Sequence, residues 1–148
     1  MEYTKTQQAA FAVVGIGDTV SNMDPAAGPK IEALWQRFFA DGIAAQVPNV
    51  IDGAIVALYT DYQGDYTKPY LYIVGVRAPS GTQAPDGLTA REVPAQTMAK
   101  IEAKGPIPQS VIEAWQSVWQ SDLNRSYVAD FDVHAGEGEP VSIFVGID

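Results

Sequence analysis

The chain has 148 residues, 47% apolar and 18% charged, which is enough to bury one sizeable core and too apolar for disorder throughout. Nine Lys and Arg against 18 Asp and Glu give a net charge of −9, which leaves no dominant basic face for a nucleic-acid backbone. There is no cysteine, and hence no disulfide, thiolate metal site or cysteine nucleophile.

The opening MEYTKTQQAA lacks a basic stretch leading into a long apolar one, and no run of about 18 apolar residues follows it. The expected compartment is the cytoplasm, with no membrane partner. Phe11 to Ile16 (FAVVGI) reads as a buried strand closed by a turn at Gly17-Asp18. A loop from Asp24-Pro25 to Gly28-Pro29 leads into a helix, with Pro29 in its first turn and Gly42 at its stop. Ile31, Leu34, Trp35, Phe38 and Phe39 form one apolar stripe on that helix, expected over 29–42. Ala54 to Tyr59 (AIVALY) and Tyr70 to Val76 (YLYIVGV) read as strands, joined by the hairpin-type connection Asp61 to Pro69. Residues 79–88, rich in Gly and Pro, read as a linker. Thr97 to Ala103 (TMAKIEA) is the next strand. A helix is expected over 108–121, with Val111, Trp115, Val118 and Trp119 as its stripe. Tyr127 to Val133 (YVADFDV) and Val141 to Ile147 (VSIFVGI) close the chain as strands.

The order strand–helix–strand–strand occurs twice. Ile31/Val111, Trp35/Trp115, Phe38/Val118 and Phe39/Trp119 each differ by 80 positions. The closing strands share an apolar-Val-Gly-apolar run, Ile73 to Val76 against Phe144 to Ile147. The expected fold is α+β: one antiparallel sheet with two helices on one face, built from duplicated units about a pseudo-two-fold axis. One domain spans 1–148, with a first repeat at about 10–78, the linker 79–88 and a second repeat at about 89–148.

The aromatic residues allow two readings. Trp35, Phe38, Phe39, Trp115 and Trp119 have core spacing, but two such helices side by side also make a flat slot suited to planar cations. Tyr59 and Tyr72 fall in strands, where a phenol packs its ring and offers its hydroxyl, whereas Tyr62 and Tyr66 read as hairpin decoration. In the strand from Tyr127, alternation puts Val128, Asp130, Asp132 and His134 on one face. That face is either solvated or functional. One histidine and no cysteine make no strong metal constellation, and no nucleophile elbow or nucleotide fingerprint occurs.

LWQRFF at 34–39, YTDYQGDYTKP at 59–69 and YLYIVG at 70–75 resemble the gyrase-inhibitor-like small-molecule-binding family. Its domain also serves as the effector-binding part of AraC- and MerR-type transcription activators. Val93-Pro94-Ala95, Ile112 to Trp115 and the Asp130-Phe131-Asp132 run extend the resemblance over about residues 10 to 147. It implies the duplicated fold and a cleft for hydrophobic, often cationic compounds, in which a buried acid, usually Glu, meets the charge. Asp132 stands in that place, in Asp-Phe-Asp-Val-His where the family has Asp-Phe-Glu-Val-Tyr, with Asp130 as the second candidate. The acid is thus one methylene shorter, and His134 replaces a tyrosine. No helix-turn-helix domain is expected beside it, and the expected likeness is to stand-alone members, some carried by integron cassettes.

The expected ligand-binding set is Trp35, Phe39, Tyr59, Tyr72, Trp115, Trp119 and Asp132, with no cofactor and no metal. The leading function is binding of an amphiphilic or cationic small molecule. One alternative is a hydrolase of reactive electrophiles, using Asp132 with Tyr59 or Tyr72. Another is a modulator of gyrase or of a separate transcription regulator. Protonation of His134 is expected to weaken cation binding as pH falls below neutral.

Overall fold

In the computed structural model, which describes residues 1–136 and 138–148, the Val- and Ile-rich runs are strands and the aromatic stripes are helices. Among these residues the strands are β1 (Thr4–Gln8), β2 (Phe11–Val20), β3 (Ile55–Thr60), β4 (Tyr70–Ala78), β5 (Thr89–Val93), β6 (Gln96–Ala103), β7 (Ala129–His134) and β8 (Val141–Gly146). The helices are α1 (Ala27–Ala40) and α2 (Gln109–Gln120), and a 3-10 turn covers Ile43–Gln46. Gly42, at φ 58°, takes the left-handed conformation that ends α1.

The strands form one antiparallel sheet in the order β1-β6-β8-β7-β3-β4-β2-β5. The unit β2-α1-β3-β4 supplies three neighbouring strands and β6-α2-β7-β8 supplies three more. They meet at the β3–β7 pair, where Ile55 faces His134 and Thr60 faces Ala129. The fold is the expected α+β arrangement. Both helices cover the same face, because Tyr59 packs against the α1 cluster and the α2 cluster alike.

The sheet is rolled. β1 and β2 are joined only by Ala9-Ala10, and β5 and β6 only by Pro94-Ala95, a reach of about 11 Å each. Six strand spacings separate each pair in the sheet, about 29 Å if it were flat. The side away from the helices therefore closes on itself around Val13, Leu58, Ile73, Met98 and Phe131, all fully buried. Phe11 meets Phe131 edge-on at 5.2 Å across the roll. Gly15 and Gly75 face each other in the β2–β4 pair, and a Cβ on Gly15 would fall 2.0 Å from the Val74 carbonyl oxygen. That close approach requires glycine.

Several boundaries differ from expectation. β2 runs through Gly17-Asp18 instead of turning, because those residues pair with Ile73 and Tyr72 of β4. β7 starts at Ala129, since Tyr127 has a left-handed φ of 54° that a strand cannot accommodate. β1 has no alternating apolar pattern and was not expected; its pairing with Gln96–Lys100 of β6 holds it.

Candidate functional site

α1 and α2 leave between them, over the middle of the sheet, a cavity of about 860 Å³. Helical spacing directs Ile31 and Trp35 of α1, and Val111, Trp115 and Trp119 of α2, toward it. Strand alternation supplies the floor: Tyr59 from β3, Tyr70 and Tyr72 from β4, and Asp132 and His134 from β7. Such a volume, walled by rings and carrying few polar groups, suits a drug-sized organic molecule.

Asp132 is 1% exposed. Its Oδ2 accepts from the Tyr59 hydroxyl at 2.8 Å, and its Oδ1 accepts from Trp115 Nε1 at 2.9 Å. Burial pushes its pKa up to about 7, against the pull of the two donors, which favour the carboxylate. Burial also raises Tyr59, Tyr70 and Tyr72 well above the usual phenol range, and the Asp132 charge adds to each shift. Among the described residues no cation pairs with Asp132.

Asp130 lies on the same face but in different company. Arg125 Nη2 donates to it at 2.8 Å, the Tyr62 hydroxyl donates at 2.5 Å, and the Gly146 backbone N–H donates at 2.7 Å. The Arg125 and Asp130 side chains are 5% and 0% exposed, and the guanidinium carbon lies 4.3 Å from the centre of the Tyr127 ring. This is a neutralised internal pair, so Asp130 has no capacity left for an incoming cation.

Trp35, Tyr59, Tyr72, Trp115, Trp119 and Asp132 all line the cavity. Phe39 does not: it is 63% exposed. The inward stripe of α1 is Ile31, Leu34, Trp35 and Phe38, and one further residue turns Phe39 about 100° past Phe38. Tyr62 and Tyr66, read from sequence as decoration, are part of the wall, because the 61–69 connection folds over the cavity. Tyr66 stacks on Trp119 at 5.8 Å with ring planes 9° apart. Tyr70 had the same strand parity as Tyr72, and that was its available signal. Arg125, in an irregular segment, carried none.

His134 also borders the cavity, with its ring edge-to-face against Trp35 at 4.8 Å. Burial lowers its pKa to about 4. The imidazole is therefore neutral near physiological pH, and the expected loss of cation binding through a protonated His134 does not apply there. Among the described residues no group of His, Asp and Glu is arranged to hold a metal ion, and no helix is long and apolar enough to cross a membrane.

The model of a family described as Cass2, integron-associated effector binding protein, matches residues 6–142. YobU of Bacillus subtilis, a candidate transcriptional regulator protein, is 27% identical over 109 residues, covering 71% of this chain and 68% of that protein. An integron cassette protein from the mobile metagenome of Vibrio cholerae superposes with a TM-score of 0.78 at 25% identity, over 99% of this chain and 95% of the other. SAV2435, solved bound to tetraphenylphosphonium, has the same fold, with a TM-score of 0.77 at 19% identity over 100% and 94% of the two chains.

Proposed function

The chain belongs to the integron-associated effector-binding family, and from that premise we propose that it binds an amphiphilic organic cation in the cavity between its two helices. The observation that carries this reading is Asp132: a buried carboxyl held by Tyr59 and Trp115, facing an aromatic cavity, with no cationic partner of its own. An uncompensated charge in such a place is costly, and a bound cation offsets that cost. Attraction there is also stronger than in water. The rings of Trp35, Tyr59, Tyr72, Trp115 and Trp119 supply apolar area and π faces for the rest of the ligand. Tetraphenylphosphonium, the ligand of the similar fold in SAV2435, is a suitable probe.

The test is titration calorimetry with tetraphenylphosphonium and with neutral triphenylphosphine oxide. Micromolar binding, about −8 kcal/mol, is expected for the cation, with clearly weaker binding of the oxide. Absence of saturable cation binding, or equal affinity for both, would overturn the reading.

One observation favours a second reading: Asp132, at about 7 and hydrogen-bonded to Tyr59, has the properties of a general acid–base pair. Turnover of strained electrophiles by the native chain, and none by Asp132→Asn, would establish a hydrolase. The alternative of a modulator of gyrase or of a separate transcription regulator is tested by a pull-down with and without bound cation.

A further inference from the structure

The two ends of the cavity differ. At one end the 61–69 connection leaves β3 at Thr60 and enters β4 at Tyr70, and Tyr66 stacks on Trp119 of α2. Asn22 ties this closure, donating to the Tyr66 carbonyl oxygen and accepting from the Tyr70 hydroxyl, each at 2.9 Å. β7 starts at this end, where Ala129 faces Thr60, and runs to the other, where His134 faces Ile55.

Register and helix direction fix what borders that second end. Trp115 Nε1 donates to Asp132, which ties the middle of α2 to β7. Trp119, one turn after Trp115, meets Tyr66 at the closed end, so the residues before Trp115 run the other way. Ile112 lies about 4.5 Å of helix before Trp115, and Pro108 about 10 Å. His134 lies two residues along β7 from Asp132, about 7 Å in the same direction. Its ring meets Trp35 of α1 edge-on at 4.8 Å, which forms the facing wall.

Ile107 and Ile112 border the cavity and yet are 55% and 47% exposed. With Pro108 and Val111 they continue the cavity outward as an uncharged apolar rim. Charged lining lies the other way. Arg125 is held by Asp130, which is nearer than Asp132 to the closed end. β2 ends with Val20 opposite Tyr70, so α1 also starts there, and Glu32, three residues before Trp35, lies toward it.

We propose that this rim is the outlet for an unbranched apolar arm, so that the protein selects cations carrying a long alkyl chain, with the charge at Asp132 and the chain running past His134 and out over Ile107 and Ile112. This deepens the cation-binding reading above and rests on it. An arm sent toward the closed end meets the Tyr66–Trp119 stack and has to break it. An arm sent toward the rim covers isoleucines otherwise left in water, which removes apolar area from solvent on both partners.

The test is calorimetry with methyl-, butyl- and decyltriphenylphosphonium, below the concentrations at which the decyl cation forms micelles. Each methylene taken fully out of water is worth about fourfold, so the native chain should prefer decyl over butyl by at least about 10-fold even with the arm only partly covered. In the double variant Ile107→Ser with Ile112→Ser, checked by thermal unfolding, that preference should shrink about 3- to 10-fold. Reading the decyl-to-butyl ratio cancels any change in the part the two cations share. Ile51→Ser, at a position 55% exposed and away from the cavity, should keep the native ratio and so controls for general stickiness. Equal binding of butyl and decyl by the native chain, with the methyl cation still bound, overturns the outlet and leaves cation binding intact. An unchanged ratio in the double variant also overturns it, because the arm then lies elsewhere. A dimer of the ligand-free chain in sedimentation that the double variant dissolves would give the rim to a second copy and overturn the outlet. Failure of all three cations to bind overturns the cation reading and this inference together.

Discussion

Tyr59 stands opposite Asp130 in the β3–β7 ladder but gives its hydroxyl hydrogen to Asp132, the diagonal neighbour, at 2.8 Å. That diagonal separates the two acids. Asp130 is left to Arg125, Tyr62 and the Gly146 N–H, whereas Asp132 receives only the uncharged donors of Tyr59 and Trp115.

Asp132→Asn keeps the shape and removes the charge. It should weaken tetraphenylphosphonium by about 1–3 kcal/mol, the worth of a charged partner, and should leave a neutral ligand nearly unaffected. Calorimetry on both proteins decides. Equal losses for cation and neutral ligand would make Asp132 a structural residue.

Asp130→Ala should behave differently. It strands the buried Arg125 guanidinium, which costs about 3–5 kcal/mol of stability. Urea unfolding of this variant should show that loss; a cost below about 1 kcal/mol would mean the pair is not internal.

Cation affinity should depend on Asp132 ionisation. With its pKa at about 7 in the free protein, affinity is full above about pH 8 and falls up to tenfold per unit below 7. His134 stays neutral down to about 4, and the raised Tyr59, Tyr70 and Tyr72 stay protonated, so none of them contributes in that window. Asp132→Asn should flatten the profile between pH 6 and 8. A slope that survives the substitution would assign the titration elsewhere.

Stability of the ligand-free chain should respond to the same two groups with opposite signs. Asp132, raised to about 7 from 3.8, favours the fold at low pH and loses that contribution as pH rises through 7. His134, lowered to about 4 from 6.5, favours the fold above 6.5 and loses that contribution as pH falls toward 4. Between about pH 4.5 and 6.5 the folded chain holds one proton and the unfolded chain the other, so the two effects cancel. His134→Phe should therefore gain stability on acidification relative to the native chain, by up to about 1.4 kcal/mol per pH unit, and Asp132→Asn should lose it. Urea unfolding at pH 4.5, 5.5 and 6.5 measures the three slopes. Parallel slopes would mean that neither group titrates as described.

Phe39 and Trp35 lie one helical turn apart and should separate cleanly. Trp35→Ala should weaken the cation and reduce the quenching of tryptophan fluorescence that binding produces. Phe39→Ala, at an exposed position, should change stability by no more than about 0.5 kcal/mol and leave affinity alone. Weaker cation binding in Phe39→Ala would place that ring in the site after all.

Apart from β1 and β5, which no run of the sequence marked, the elements were legible in the residues because their signals are local. Period-3.6 aromatic stripes mark α1 and α2, Val- and Ile-rich runs mark β2, β3, β4 and β8, and the repeated order led to one antiparallel sheet. The face of β7 that carries Asp130, Asp132 and His134 also followed from alternation. What alternation could not do was tell those residues apart. Asp130 and Asp132 have the same chemistry, the same strand and the same parity, and only the approach of Arg125 from an irregular segment makes one a neutralised pair and leaves the other to the cavity. Phe39 belonged to the stripe by spacing, and only the placement of α1 on the sheet left it in solvent. The charge states of Asp132 and His134 likewise arise from how completely the surrounding elements exclude water. Desolvation sums contributions from residues far apart in the chain, so no pattern within a short stretch of sequence carries it.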